Sequence, residues 1–364
     1  MAAFSCLLTR RCVMPISLLV ITLAFAPISP SPGTMAAVPR AKATPLPAPT
    51  PHPFAEEPAW IAYQTVRTRA DGTDAEGIGL IHPNGTGDHP IAPDVHDAQL
   101  LPDWSPDGMR LVFTVRGGKT EPLYEYDLAT ETSRQLFSCE DPCVGDDEPV
   151  YAPDGTRVAF IRALGPFVPG PVGVGDVPSD CGLWIGELSS GAVTQISSNT
   201  DPPCDREYNP HWSPDGSQFT YWRYPYEEGQ PTGTGVFVMN ADGTGERRLT
   251  DPAMVAGEPD WSPDGEWIVF DTYPLHEFQC CQVSNLYRMH PDGSGMEPLT
   301  HYVTDDLRAT QPRYTPDGAW IVFTAATRFT RGLWAIPAAG GEPIILTAAN
   351  VYTHGTWQPA PATS

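Results

Sequence analysis

The chain has 364 residues, of which 42 are proline and 33 are glycine, and its formal net charge is −23. Only two of its 21 basic residues are lysines, Lys42 and Lys119. This acidity argues against a nucleic-acid-binding protein, because basic side chains must neutralise the phosphates of a bound nucleic acid. It is compatible with a basic partner, with cation binding, or with solubility alone.

Residues 1–37 predict a signal peptide or an N-terminal anchor. Arg10 and Arg11 precede an apolar stretch at residues 12–28, and a basic segment before an apolar one is typical of a secretory signal. The stretch is short for a membrane span, which needs about 20 apolar residues. Cleavage after Ala26 or after Ala37 fits the small residues there. We therefore expect an exported protein that is periplasmic, extracellular or at the cell surface, and that contacts a membrane only through an uncleaved anchor.

Residues 38–57 are rich in proline and alanine. This composition favours extended, polyproline-like chain with little apolar surface to bury, so we interpret the segment as a linker. The folded domain is expected to begin at residue 58.

Five Pro-Asp-Gly turns recur after the linker, and the segment DWSPDG occurs twice unchanged, at residues 103–108 and 260–265. The aspartates of these turns are 47, 61, 49 and 53 residues apart and are Asp107, Asp154, Asp215, Asp264 and Asp317. Each turn follows a proline and an aromatic residue and precedes an apolar run, so it joins two strands, a and b. A second hairpin, strands c and d, follows each turn. Four antiparallel strands in a repeat of about 40–50 residues are typical of a β-propeller blade.

The first repeat is incomplete, and the end of the chain supplies what it lacks. Residues 59–66 match strand b and residues 78–92 match the c–d hairpin, but no strand a precedes them. Residues 351–360 match the start of a repeat, with Trp357 at the aromatic position. The sequence therefore predicts an all-β, six-bladed, monomeric propeller at residues 58–360, closed by its C-terminal strand and followed by a tail at 361–364.

The repeated pattern P-x-W-S-P-D-G-x-x-I-x-F, followed by a hairpin ending in Leu-Thr, resembles the TolB-like, WD-repeat-like family of β-propellers. The resemblance covers residues 59–360. It implies the propeller fold, and it implies a role as a partner-binding platform, as the substrate-gating domain of a serine peptidase or, occasionally, as an enzyme. The chain contains no G-x-S-x-G nucleophile elbow, which excludes a self-contained peptidase. We therefore expect an exported platform for a protein or peptide partner, and not an enzyme.

Six cysteines follow the linker, and all of them fall in the b–c and d–a connections. In a propeller these connections emerge on one face, here called the loop face, and the a–b and c–d turns emerge on the other, the turn face. The cysteines are Cys139, Cys143, Cys181, Cys204, Cys280 and Cys281. In an exported protein they are disulfide candidates, and we expect the pairs Cys139–Cys143 and Cys181–Cys204. Zinc binding is the less favoured interpretation, and Cys280–Cys281 is expected to be either a vicinal bridge or two free thiols.

The loop face also carries the long, non-repetitive b–c segments at residues 163–182, 224–235 and 273–285. Such loops on a rigid scaffold are where binding sites are usually built. Their candidate binding residues are Phe167, Tyr224, Tyr226, His276 and Phe278. The alternative is that these aromatic side chains only pack the loops onto each other.

A second candidate site lies where the innermost strands meet, at the mouth of the central channel. Its residues are Asp103, Glu148, His211, Glu258, Asp260 and Arg313. Converging polar groups at a channel mouth are the default position of a small-ligand site. The alternatives are a solvated acidic rim with ion pairs such as Asp260–Arg313, or a divalent cation such as calcium, which residues Asp71, Asp74 and Glu76 could also bind.

The main functional alternative is a carbohydrate-active or lyase-type propeller enzyme with a metal-assisted site at the channel mouth. It would use His211, Asp103, Asp260 and Glu258. We expect no resident cofactor.

Overall fold

The computed structural model describes most of the chain from Pro53 to Pro359. The described residues are 53–54, 58–68, 74–92, 95, 97–169, 176–197, 207–223, 226–227, 230–231, 234–273, 283–303, 307–327, 331–347 and 353–359. They contain no helix that could span a membrane. All that follows concerns the compact unit Phe54–Ser364.

The unit consists of six four-stranded antiparallel sheets, which are the predicted blades. In blades one to three, strands a to d are Thr353–Trp357, Ile61–Thr68, Asp74–Ile81 and His89–Pro90; Ala98–Trp104, Arg110–Arg116, Leu123–Asp127 and Thr132–Gln135; and Cys143–Tyr151, Arg157–Pro169, Asp176–Glu187 and Val193–Gln195. In blades four to six they are Glu207–Trp212, Gln218–Arg223, Gly235–Asn240 and Arg247–Arg248; Val255–Trp261, Ile268–Tyr273, Asn285–Met289 and Glu297–Pro298; and Arg308–Tyr314, Trp320–Ala326, Arg331–Pro337 and Ile344–Ile345. Each strand a contacts the strands a of the neighbouring blades, so these strands surround the axis.

The ring closes as predicted, because the C-terminal strand completes blade one. Ile61 pairs with Trp357 in an antiparallel register. Beyond this pair, the backbone N–H of Gln358 donates to the carbonyl of Trp60 at 2.8 Å, and its side-chain oxygen accepts the N–H of Trp60 at 3.1 Å. Strand b of blade one is therefore paired on both sides, with strand c and with the C-terminal strand a, and leaves no open sheet edge.

The Pro-Asp-Gly turns form the predicted a–b connections. In the first, the N–H of Gly108 donates to the carbonyl of Ser105 at 2.8 Å, and Gly108 has a φ of 68°. The carboxylate of Asp107 accepts bonds from the Ser105 hydroxyl at 2.6 Å and the Met109 N–H at 3.0 Å. The residue types of the motif are therefore explained by turn geometry, which requires a glycine where φ is positive.

The apolar core lies between the blades. One cluster joins Ala62 and Leu80 of blade one to Trp104, Leu111 and Phe113 of blade two, and five similar clusters complete the core of the described residues. A single blade could not bury both faces of its sheet, so the stacking of the blades provides the hydrophobic stabilisation.

Phe54 packs at the seam between blades six and one. It is only 7% exposed, and its ring lies 5.2 Å from that of Trp320 and 5.0 Å from that of Trp357. The sequence analysis placed this residue in the linker. Because Trp357 ends a strand a and Trp320 begins a strand b, the packed chain begins on the turn face.

Candidate functional site

Every strand a contains a β-bulge around one residue in the left-handed conformation. These residues are Leu101, Glu148, Asn209, Glu258, Gln311 and His354, with φ between 50° and 57°. Each of the first five precedes a proline and lies six residues before the aspartate of its turn. A non-glycine residue with positive φ is uncommon and costs backbone strain, and bulges redirect side chains. Because the bulge recurs in all six strands a, it is a regular feature of the strands that surround the channel.

The bulges bring polar side chains together around a small cavity that is partly open to solvent. Its polar lining consists of Asp103, Glu148, Asn209, His211, Arg313 and His354, with Thr356. Four of the six predicted channel residues therefore line one cavity. The other two adjoin it, because Asn209 donates to Glu258 at 2.5 Å and His211 faces Asp260 at 3.4 Å.

Asn209, Gln311 and His354 are channel residues that the sequence analysis missed. They occupy the same repeat position as Glu148 and Glu258, six residues before the turn aspartate or its equivalent. An alignment of the repeats on that position predicts them, although only two of the six residues there, Glu148 and Glu258, are acidic.

Asp103 and Asp260, from the two identical DWSPDG segments, hold neighbouring blades together. Asp103 accepts the backbone N–H of Tyr151 in blade three at 2.9 Å, and Asp260 accepts that of Tyr314 in blade six at 2.8 Å. A carboxylate that satisfies a backbone donor at a blade interface has a structural role. The repeated sequence therefore reflects a repeated bond between blades.

Further side chains link the bulges around the axis in the same way. Glu148 accepts the backbone N–H of Asn209, Asp271 accepts that of Gln311 at 3.2 Å, and Gln311 accepts that of His354 at 3.3 Å. Asp271, on strand b of blade five, is fully buried, and its second carboxylate oxygen has no hydrogen-bond partner among the described residues. No motif of the sequence marks this residue, because its partner Gln311 belongs to the next blade.

Arg313 is the cation of the cavity lining. Its guanidinium donates to the side-chain oxygen of Asn209 and to the carbonyl of Pro312, both at 2.9 Å. The ion pair between Asp260 and Arg313, given above as an alternative, is not among those of the described residues, where Asp260 faces His211. Arg313 in blade six and Asn209 in blade four thus connect blades that are not neighbours.

Burial controls the protonation of the channel. It raises the pKa of Asp103 to about 7 and that of Asp260 to about 6, although Arg313 opposes both shifts. It also raises the pKa of Glu258, and it raises the pKa of Asp271 well above its usual range with help from the charge of Glu258. These carboxyl groups are therefore desolvated, and the expected solvated rim does not describe them.

The two channel histidines shift in the opposite direction for the same reason. Burial lowers the pKa of His211 well below its usual range and that of His354 to about 3, and Arg313 lowers both further. Both imidazoles are neutral near pH 7. Among the described residues, the channel therefore combines neutral histidines, carboxyl groups with raised pKa values and the guanidinium of Arg313.

The described residues fit a divalent cation poorly. The group with three ligand atoms within 4.8 Å of one another is Cys139, Cys143 and Asp146. Its two cysteines form a disulfide, and the carboxylate of Asp146 is 2.6 Å from Arg162. The described carboxylates and histidines of the channel form no such group. Of the alternative calcium ligands, Asp74 and Glu76 begin strand c of blade one, and Asp71 lies outside the described residues.

The predicted Cys139–Cys143 disulfide is present. Cys181 is also disulfide-bonded. Cys204, Cys280 and Cys281 lie outside the described residues, so the pair Cys181–Cys204 stays a prediction.

Phe167 is 56% exposed, but it does not lie in an irregular loop as expected. Strands b and c of blade three continue as a long antiparallel ribbon, Arg157–Pro169 with Asp176–Glu187, through most of the predicted loop at residues 163–182. Tyr226 lies in a short hairpin, Tyr226–Glu227 with Gln230–Pro231. Tyr224, His276 and Phe278 fall outside the described residues.

Several solved structures share this architecture. TolB from Acinetobacter baumannii matches with a TM-score of 0.63 at 17% identity, over 84% of this chain and 67% of that chain. A putative TolB from Agrobacterium tumefaciens matches with a TM-score of 0.56 at 20% identity, over 81% and 91%. The chain has a TolB-like propeller fold.

An oligogalacturonate lyase in complex with manganese also matches, with a TM-score of 0.54 at 18% identity, over 76% of this chain and 72% of that chain. At these identities the likeness concerns the fold alone. No protein-family model and no curated protein sequence matches the chain.

Proposed function

We propose that the protein is an exported platform that binds a protein or peptide partner through its loop face. The observation that carries the proposal is Phe167, a large aromatic side chain held 56% exposed on a regular ribbon. Val66 and Val303, which are 43% and 87% exposed, lie on the same face. Aromatic side chains on a rigid support are typical centres of protein interfaces.

Two further observations support export and orientation. The Cys139–Cys143 disulfide is typical of proteins from oxidising compartments, in agreement with the signal-like N-terminus. Phe54 brings the chain into the propeller on the turn face.

The test compares matched variants on the two faces. Phe167→Glu places a charge on the ribbon, and Met109→Glu places one on the turn face, where Met109 is 46% exposed. The disulfide-bonded proteins are cross-linked to exported proteins of the same source, and captured partners are identified by mass spectrometry. We expect a partner that wild type and Met109→Glu capture and that Phe167→Glu loses. Equal capture by both variants, or none by wild type, contradicts the proposal.

A lyase-type enzyme is the second candidate, and the likeness to the oligogalacturonate lyase favours it. The structural role of Asp103 and Asp260 and the poor fit of a cation weigh against it. The assay supplies oligogalacturonate and manganese and follows the ultraviolet absorbance of an unsaturated product. Activity that His211→Ala abolishes would establish the enzyme, whereas Phe167→Glu would leave it unchanged.

A further inference from the structure

The blade-three ribbon extends beyond the rest of its sheet. Its strand b pairs with strand a as far as Leu164 opposite Cys143, and its strand c pairs with strand d at Trp184, Ile185 and Gly186. Beyond these pairs lie residues 165–169 and 176–180, in which residues 167–169 pair with residues 176–178 and Asp180 pairs with Leu164. We call these residues the ribbon tip, and Phe167 lies within it.

The base of the ribbon is fixed by three kinds of bond. The Cys139–Cys143 disulfide closes the 139–143 loop, and the N–H of Gly165 donates to the carbonyl of Pro142 in that loop at 2.6 Å. Below it, Arg162 donates to Asp146 at 2.6 and 2.8 Å and to the carbonyl of Ser138 at 3.0 Å. Asp146 and Arg162 are 0% and 5% exposed. The tip is therefore preorganised, which lowers the entropy cost of binding.

The 139–143 loop places negative charge beside the ribbon tip. Glu140 and Asp141 are exposed, and neither takes part in an ion pair with a described residue. The nearby cations are already engaged, since Arg162 pairs with Asp146 and Arg116 pairs with Glu121 and Asp147. Phe167 follows Gly165 by two residues, which corresponds to roughly 7 Å along a strand. Because Gly165 is bonded to Pro142, the backbone of Phe167 lies close to the loop that carries the two exposed carboxylates.

We propose that the ribbon tip and the 139–143 loop together bind a basic peptide segment of a partner. An apolar side chain of that segment covers Phe167, and flanking lysine or arginine residues face Glu140 and Asp141. The inference rests on the proposed function and names the class of partner. Electrostatic complementarity of this kind gives specificity and a faster association rate.

The prolines of the tip favour recognition by side chains over addition of a strand. Pro166, Pro169 and Pro178 lack backbone N–H groups, and proline on a free edge prevents pairing with another strand. The same feature argues against a second copy of the chain pairing ribbon to ribbon.

Three synthetic peptides of equal length test the proposal by fluorescence anisotropy on the disulfide-bonded protein. The first carries a leucine flanked by lysines, the second has serine in place of leucine, and the third has glutamates in place of lysines. We expect the first to bind at least about tenfold more tightly than either control. The advantage over the serine peptide is lost in Phe167→Ser, and the advantage over the glutamate peptide falls in the double variant Glu140→Gln, Asp141→Asn. Met109→Ser keeps both advantages.

Binding that depends only on peptide charge, or that is the same in Phe167→Ser and Met109→Ser, overturns the inference. A concentration-dependent mass in light scattering that Phe167→Ser removes would assign the tip to self-association and overturn it as well. The proposed function fails separately, when cross-linking captures no partner. It stands without this inference when Phe167→Glu loses a captured partner but wild type binds the three peptides equally.

Discussion

The central channel and the blade-three ribbon both concentrate carboxylates, but the two regions use them differently. In the channel, Asp103 and Asp260 are desolvated and accept backbone N–H groups of the next blade. Beside the ribbon tip, Glu140 and Asp141 are exposed. In the channel, a buried carboxylate therefore stabilises the fold by accepting backbone hydrogen bonds. On the loop face, an exposed carboxylate is free to contact a partner.

The largest effect is expected from removing the guanidinium of Arg162, which is buried at the base of the ribbon. Arg162→Ala leaves Asp146, which is 0% exposed, without its partner, so we expect a loss of about 3–5 kcal/mol in the free energy of unfolding. The control is Glu297→Ala, which breaks a pair with Arg288 in which Glu297 is 49% exposed and costs about 1 kcal/mol or less. Urea denaturation measures both, and equal losses would show that the ribbon base is not rigid.

The next comparison is between Phe54, which is buried on the turn face, and Phe167, which is exposed on the loop face. Phe54→Ala exposes Trp320 and Trp357 at the closure seam, and we expect a loss of about 3 kcal/mol. Phe167→Ala removes an exposed ring from the ribbon and is expected to change stability by no more than about 0.5 kcal/mol. Thermal unfolding compares the two. A large loss of stability in Phe167→Ala would show that the Phe167 ring packs against neighbouring loops and is not available to a partner.

The stability of the fold should depend on pH, because the channel carboxyl groups are buried and have shifted pKa values. The folded-state pKa of Asp103 is raised to about 7, so the folded protein binds more protons than the unfolded chain, and stability is lost as pH rises through 7. From pH 6.5 to pH 8 this group alone removes about 1 kcal/mol. Below pH 6.5 the histidines oppose the trend, because their lowered pKa values favour protonation of the unfolded chain.

Asp103→Asn checks that assignment, because it keeps a side-chain oxygen for Tyr151 and removes the titration. Urea midpoints measured between pH 6.5 and pH 8 should show a shallower slope in this variant than in wild type. Glu140→Gln, on the exposed loop, should leave the slope unchanged. Parallel curves for Asp103→Asn and wild type would contradict a buried, titrating channel.

The smallest expected effect concerns the repeated turn. Asp107→Ala removes the acceptor for the Ser105 hydroxyl and the Met109 N–H, at a cost of about 1 kcal/mol. Peptide binding at the ribbon should not change, because the turn lies on the opposite face. Loss of binding in Asp107→Ala without unfolding would show that the two faces are coupled.

The sequence predicted the blades well because local turn chemistry repeats. Asp107 and Gly108 are required by one tight turn, and the same requirement recurs in every copy. The candidate channel was predicted in part, since Asp103, Glu148, His211 and Arg313 meet in one cavity. Asp271 could not be predicted, because its partner Gln311 belongs to the next blade and lies 40 residues away.

The loop face was the least predictable region. Residues 163–182 are rich in glycine and proline, which favours a loop, yet strand pairing and the Cys139–Cys143 disulfide hold much of the segment in a ribbon. Cross-strand pairing outweighed local propensity here, as tertiary contacts often do.

The sequence by itself determined the number of blades and the turns, because each depends on residues close together in a repeated unit. It also predicted the closure of the ring by Trp357, because residues 351–360 match the strand that the first repeat lacks. Only the tertiary structure decided which carboxylates are buried. Asp146 and Glu140 are near neighbours in the chain, but the first is enclosed with Arg162 and the second faces solvent. Burial depends on strands brought together from distant parts of the chain, and it sets the pKa and the availability of each acid.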